Sequence, residues 1–329
     1  MRHNAYYQGP VTDHFDGERF ASPNELPMRP PSAHIRFVAG QVARFRSAPP
    51  RAIPQDRPPA RVDGLRISPI GHSSLLVQVG GLNILIDPVF AEWLGPWAGS
   101  GPRRAHEPGV RWDDLPPIDA VLVTHNHWDH LDGPGIARLW HRFRPRIVTP
   151  LGNDAVIRRY DPAIAVEALD WGEGRSLSDR LWVGVESSHH WSGRSLLDRR
   201  MALWGSFVLK DAGGGVLYHV GDTAYGDGGI FRKVREVHGA PDVALIPIGA
   251  YEPRWYVGGQ HVNPDEAVRI MLDCGAKQAF GHHWGTFQLT WEEVDAPPRD
   301  LEAALARHGL SPDRFRALRP GEPVESPWP

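Results

Sequence analysis

A chain of 329 residues is long enough to bury a large core, as one big domain or two ordinary ones. A formal charge of -3 and an apolar share of 41% give no general attraction to nucleic acid or to an anionic membrane surface. The single cysteine, Cys274, excludes an intramolecular disulfide framework and a cysteine-rich zinc site, so any metal must be held by histidine and carboxylate.

Residues 1–61 are rich in Pro and Arg, with Pro49-Pro50 and Pro58-Pro59, and lack sustained apolar periodicity. They predict an extended arm lying on a domain formed by residues 62–329. The first thirty residues offer no apolar signal-peptide core, and no later stretch is long and apolar enough to span a bilayer. The expectation is a cytoplasmic protein, soluble or peripherally attached to a membrane. Short β-like runs then begin at Leu65 to Ile70, Leu75 to Val79 and Leu82 to Ile86, the last two separated by Gly80-Gly81 as in a tight hairpin. Four further runs end abruptly at polar residues: Ala120 to Val123 before Thr124-His125, Leu181 to Val185 before His189-His190, Val216 to Val220 before Asp222, and Val243 to Ile246 before Pro247. The best helix is Pro264 to Cys274, with Asn263 as N-cap, proline at the first position, Asp265 and Glu266 in the first turn and Gly275 after the end. Its stripe of Ala267, Ile270, Met271 and Cys274 places the cysteine in the core, as packing and not as a nucleophile. Strands outnumber helices, which predicts two mixed sheets with helices on their outer faces.

The strongest local signal is Thr124-His125-Asn126-His127-Trp128-Asp129-His130, which sets four ligand-type side chains in six residues directly after an apolar strand. An exposed polar turn would explain the composition, but such a cluster at the edge of a core is costly without a partner, and its chemistry matches zinc. Asp222 in Val220-Gly221-Asp222-Thr223 has a glycine that permits close backbone approach and two oxygens to share between ions; taken singly, Gly-Asp is more often a turn. His189-His190-Trp191 and His282-His283-Trp284 each supply adjacent histidines that point differently, so one of each pair is expected to ligate. Seven ligands exceed what one tetrahedral ion accepts, and two ions with a bridging carboxylate are expected. His261, in Gly258-Gly259-Gln260-His261, reads equally as a substrate-side acid or hydrogen-bond donor and as a capping or surface histidine. His72, in Gly71-His72-Ser73-Ser74, reads as structural or as support for a metal ligand.

These motifs, with Asp87-Pro88-Val89-Phe90, Leu115 to Val121, Leu203-Trp204-Gly205-Ser206, Ile246 to Trp255 and His283 to Phe287, resemble the metallo-β-lactamase superfamily, in the branch of N-acyl-phosphatidylethanolamine-hydrolysing phospholipase D. The likeness runs from about Leu65 to Phe287. It implies an α/β (α+β) four-layer αββα sandwich with the site at one sheet edge. It also implies that His125, His127 and His190 hold one ion, that Asp129, His130 and His283 hold the other, and that Asp222 bridges them. His190 and His283 are taken over His189 and His282 because each directly precedes its tryptophan, as the branch's pattern has it. Two divalent ions are implied, zinc by default from the imidazole and carboxylate donors, with iron or manganese accepted by similar sets.

The activity implied is a binuclear metal-dependent hydrolase, a phosphodiesterase of phospholipase D type acting on an N-acyl-phosphatidylethanolamine-like lipid through a water activated by the metals. Asp129 would anchor an ion and orient the attack. Tyr251, Arg254 and His261 would face substrate, although an ion pair with a purely structural role explains Arg254 as well. Trp93, Leu94 and Trp97 would dip into a lipid interface or line an acyl groove, or else pack on their own domain. The competing reading on the same metals is a lactonase, or a phosphodiesterase acting on a soluble metabolite. A metal-stabilised binding protein without turnover is the reading from another class. No nucleic-acid partner is expected, and the oligomeric state, a homodimer included, is left open.

Overall fold

The glycine pair Gly80-Gly81 turns the chain with φ of +57° and +78°, a backbone that side chains with a Cβ rarely adopt, and so seeds the first hairpin. In the computed structural model, which describes residues 4–22, 30–42, 44, 48–195 and 197–329, that hairpin belongs to a three-strand antiparallel meander. Its strands are β1 (Leu65–Gly71), β2 (Ser74–Val79) and β3 (Leu82–Ile86). Next come β4 (Ala120–Leu122), β5 (Arg146–Pro150) and β6 (Val166–Leu169), parallel to β3 and to one another.

The second half supplies β7 (Gly174–Ser176), β8 (Leu181–Glu186), β9 (Ser206–Asp211), β10 (Val216–His219), β11 (Val243–Pro247), β12 (Gln278–His282) and β13 (Phe315–Ala317). Chain-terminal β14 (Val324–Ser326) returns to pair with β1, Ser326 opposite Leu65. Two mixed seven-stranded sheets result, in the orders β14-β1-β2-β3-β4-β5-β6 and β13-β12-β11-β10-β9-β8-β7.

Alternation along each strand builds the layers. In β4, Ala120 and Leu122 face the opposing sheet, where they meet Val183, Leu209 and Leu245, while Val121 faces outward onto Ile136 and Leu139. Those two residues lie on α2 (Gly133–Phe143), which with the short α3 (Asn153–Ile157) covers the first sheet. In β10, Leu217 faces inward and Tyr218 outward, toward α4 (Gly229–His238), α6 (Pro264–Cys274) and α7 (Ala296–Arg307). Each fully buried Leu, Ile or Val in these layers contributes about 1.5–3 kcal/mol. The expected αββα sandwich is the fold observed.

The sequence places α6 at its observed bounds because the capping chemistry is local. Asn263 Oδ1 accepts from Glu266 N at 2.9 Å, and Glu266 Oε2 accepts from Asn263 N at 3.0 Å. Cys274 is buried, and burial pushes its thiol pKa up to about 12, as a packing role requires.

The leading segment departs from the extended arm expected. Pro31–Val42 form α1, on which Phe37 stacks against Tyr256 at 4.2 Å and Arg36 lies over Trp255 at 4.8 Å. Contacts distant in sequence stabilise this helix, and no periodicity within the segment announces them. Upstream, Phe15 and Phe20 are buried against Leu203 and Trp204. Residues 1–3, 23–29, 43 and 45–47 of the arm lie outside the described residues. Among the described residues no helix is long and apolar enough to cross a membrane.

Candidate metal centre

The strands β4, β8, β10 and β12 all end at one edge of the sandwich, and the turns that follow carry the ligand-type side chains. Past β10, Gly221 sits at φ +63°, and a Cβ there would lie 3.0 Å from the Gly205 carbonyl oxygen, so glycine lets the chain turn Asp222 inward beside Gly205. Past β12 the chain twists at His283 (φ +66°), which separates two neighbouring imidazoles. His283 enters the site, whereas His282 stacks on His219 with ring centres 4.9 Å apart. The other pair divides the same way: His190 faces the site and His189 Nδ1 lies 3.2 Å from Ser22 Oγ.

All seven residues expected to ligate come together. His125, His127 and His190 form one group of converging nitrogens, with His127 Nδ1 2.8 Å from His125 Nε2 and 3.2 Å from His190 Nε2. His72, Asp129, His130 and His283 form a second. Asp222 lies between them: its Oδ2 is 3.2 Å from His130 Nε2, 3.1 Å from His283 Nε2 and 3.7 Å from His190 Nε2. Asp129 Oδ2 is 3.0 Å from His72 Nε2 and 3.5 Å from both His130 Nε2 and His283 Nε2. The arrangement is a run of overlapping donor groups, with Asp222 between His190 on one side and His130 and His283 on the other.

The outward ring nitrogens fix which nitrogen faces in. His190 Nδ1 donates to the Gln260 carbonyl at 3.0 Å, and His130 Nδ1 donates to Asp87 Oδ2 at 2.7 Å, so the Nε2 lone pair of each is presented to the centre. Asp87 also accepts from Thr124 N and Thr124 Oγ1, at 2.7 and 2.6 Å. Neither Asp87 nor Gln260 is singled out by spacing. Asp87 carried a legible signal, an aspartate ending an apolar strand as Asp222 does; Gln260 acts partly through its main chain and carried none.

The carboxylates and imidazoles of the centre hold one another charged. Burial opposes charge on His130 and His283, but Asp222 and Asp129 outweigh it, holding His130 well above the usual imidazole range and His283 at about 9. Burial likewise opposes ionised Asp129 and Asp222, but the same histidines outweigh it and hold both well below the usual carboxylate range. Protons on imidazole therefore carry, in the metal-free protein, the charge that ions would carry. The residues fit metal ions: His130 Nε2, His283 Nε2 and Asp222 Oδ1 are buried and make no hydrogen bond.

The remaining expectations fare unevenly. His261 joins the centre, with Nδ1 3.8 Å from Asp222 Oδ2. Burial pushes its pKa down to about 4, so at neutral pH it offers a hydrogen bond and not a standing charge. His72 supports Asp129, as one of its two readings had it. Arg254 is spent elsewhere: its Nη2 pairs with Glu266 at 2.8 Å and its Nη1 donates to the His261 carbonyl at 2.8 Å, the structural ion pair. Tyr251 is buried, with its hydroxyl donated to Asp300. Leu94 packs on Val89 and Phe287 and does not face solvent, because the loop folds back on its own domain; Trp97 at its tip is 71% exposed.

The family model described as the beta-lactamase superfamily domain matches residues 82–284. The chain is 33% identical over 270 residues to N-acyl-phosphatidylethanolamine-hydrolyzing phospholipase D 1 of Caenorhabditis elegans, covering 79% of this chain and 75% of that protein. It is 34% identical over 249 residues to the mitochondrial N-acyl-phosphatidylethanolamine-hydrolyzing phospholipase D of Saccharomyces cerevisiae, covering 74% of this chain and 52% of the yeast one. The chain thus spans about half the length of the yeast relative. Among solved structures, an isothiocyanate hydrolase from Delia radicum gut bacteria matches with a TM-score of 0.64 at 21% identity, covering 80% of this chain and 99% of that one, a likeness of fold.

Proposed function

Since the chain belongs to the metallo-β-lactamase superfamily and is a metal-dependent hydrolase, we propose that it is a binuclear phosphodiesterase of phospholipase D type acting on an N-acyl-phosphatidylethanolamine-like lipid. The observation that carries the binuclear reading is Asp222, whose Oδ2 lies within 3.7 Å of imidazoles from both donor sets. The lipid reading is supported by the two relatives whose names carry that activity.

Two divalent ions, zinc by the chemistry of the donors, would supply Lewis acidity and an activated water. His125, His127 and His190 would hold one, Asp129, His130 and His283 the other, with Asp222 between. Asp129 accepts from His72 Nε2 and is thereby fixed in orientation, so that its carboxylate can align the attacking water. His261, whose side chain is 15% exposed, as the Asp129 side chain is 13%, would hydrogen-bond a phosphoryl oxygen. Trp97 offers a peripheral contact with the lipid surface that presents the substrate.

The test is incubation of zinc-loaded protein with N-acyl-phosphatidylethanolamine in mixed micelles, with products identified by mass spectrometry. Phosphatidic acid and the N-acylethanolamine are expected from the intact protein, and Asp129→Asn should lower their formation at least ~10²-fold. If neither product forms while soluble lactones or phosphodiesters are cleaved, the lipid assignment is wrong and the hydrolase stands.

A further inference from the structure

Arg104 is 2% exposed, and its Nε, Nη1 and Nη2 make no hydrogen bond among the described residues. Guanidinium carries five N–H donors and is rarely buried without acceptors. Burial pushes its pKa down to about 10, which still leaves a cation at neutral pH.

The neighbours are already committed. A Cβ on Gly71 would lie 3.0 Å from Arg104 Nη2, 3.1 Å from Thr286 Oγ1 and 3.2 Å from His106 Cε1, so these groups share one wall. His106 Nδ1 donates to the Glu107 carbonyl at 2.7 Å, which leaves its Nε2 to accept from Thr286 Oγ1 at 2.9 Å. That hydroxyl in turn accepts from His72 N at 2.6 Å. Asp132 senses the Arg104 charge, but its carboxylate accepts from Phe90 N, Ala91 N and Gly135 N. Glu92 is paired with Arg103. The Phe287 ring, 5.5 Å from the guanidinium carbon, offers a π face and no acceptor for the fork.

We propose that Arg104 is the base of a buried anion-binding site that takes a phosphate group, held by the guanidinium fork. The site adjoins the metal centre without sharing its donors: Phe287 packs edge-on to the His72 ring at 5.5 Å, and His72 supports Asp129. The phosphate comes either from solution or from the substrate's own phosphoryl group, and the inference does not depend on the lipid being the substrate.

The experiment compares metal-loaded wild type with Arg104→Met in thermal denaturation, as sodium phosphate replaces sodium glutamate at constant ionic strength. Phosphate bound to the metals raises both melting curves; a phosphate at Arg104 should raise the wild type by about 3 °C more than the variant on going from Kd to 100 Kd. Arg104→Lys, which keeps the charge and loses the fork, should show a smaller rise than wild type and serves if the methionine variant does not fold. Phosphate-soaked crystals should place the ion on Nη1 and Nη2. If the occupant is instead the substrate's phosphoryl group, the melting difference vanishes, while Arg104→Met raises KM about tenfold for bis(4-nitrophenyl) phosphate and leaves KM for 4-nitrophenyl acetate unchanged. Identical phosphate responses, unchanged KM for both esters, and protein oxygens or water alone around Arg104 in the crystal would overturn the site.

Discussion

An imidazole has two nitrogens, and at this centre the one facing away decides what the one facing inward can do. His130 gives Nδ1–H to Asp87, a residue that touches no other group of the two donor sets yet fixes the direction of one ligand. Replacing Asp87 by Asn sets an amide against three donors and loosens His130. Asp87→Asn should therefore weaken metal binding 10–100-fold, measured by competition with a chromophoric chelator, and an unchanged competition curve would count against the positioning role. The choice of His190 over His189 and of His283 over His282 came from a pattern of following tryptophans. The physical cause, visible only in three dimensions, is that each turn rotates one ring toward Asp222 and the other into the surrounding core or onto the leading segment.

At the scale of elements, α5 (Arg254–Val257) and α6 are tied together by the Arg254–Glu266 pair, and Glu266 also closes the capping box that starts α6. The same guanidinium holds the His261 carbonyl, so the loop carrying His261 is braced from both sides. Arg254→Met is expected to cost about 1.5–3 kcal/mol, seen as a lower melting temperature, with KM for a phosphodiester changed less than twofold. A tenfold rise in KM at unchanged melting temperature would restore Arg254 as a substrate residue. That helix was readable because caps and stripes are local features. The ion pair was not, since nothing in the chain order of Arg254 and Glu266 states which partner the guanidinium finds.

For the molecule as a whole, the cost of so many buried imidazoles appears as acid sensitivity. Burial pushes His106 and His219 down to about 4, and neither is a candidate ligand. In the unfolded chain both titrate near 6.5, so between that pH and about 4 the unfolded state binds more protons, and stability falls as pH falls. Each group approaches about 1.4 kcal/mol per pH unit below its unfolded pKa, and these two together should cost the metal-free protein about 3 kcal/mol between pH 6.5 and 5 by urea denaturation. His283, raised to about 9, contributes fully below 6.5, and the depressed carboxylates lose their contribution only below the usual carboxylate range, so neither offsets the loss in that window. Stability that is flat from pH 6.5 to 5 would show that these imidazoles are not neutral in the fold.

The sequence by itself determined the two sheets, the α6 boundaries and the candidate ligands that follow the strand ends, because strand alternation, helix capping and the density of ligand-type side chains are local properties of the chain, while the choice within each histidine pair came from the resemblance. The tertiary structure decided how the turns separate the two imidazoles of each adjacent pair, that Arg254 pairs with Glu266 and Tyr251 with Asp300, that the leading segment holds a helix, and that Arg104 is buried without an acceptor. Those outcomes depend on what lies opposite a side chain after folding, and two residues distant in the chain carry no mark of meeting until packing brings them together.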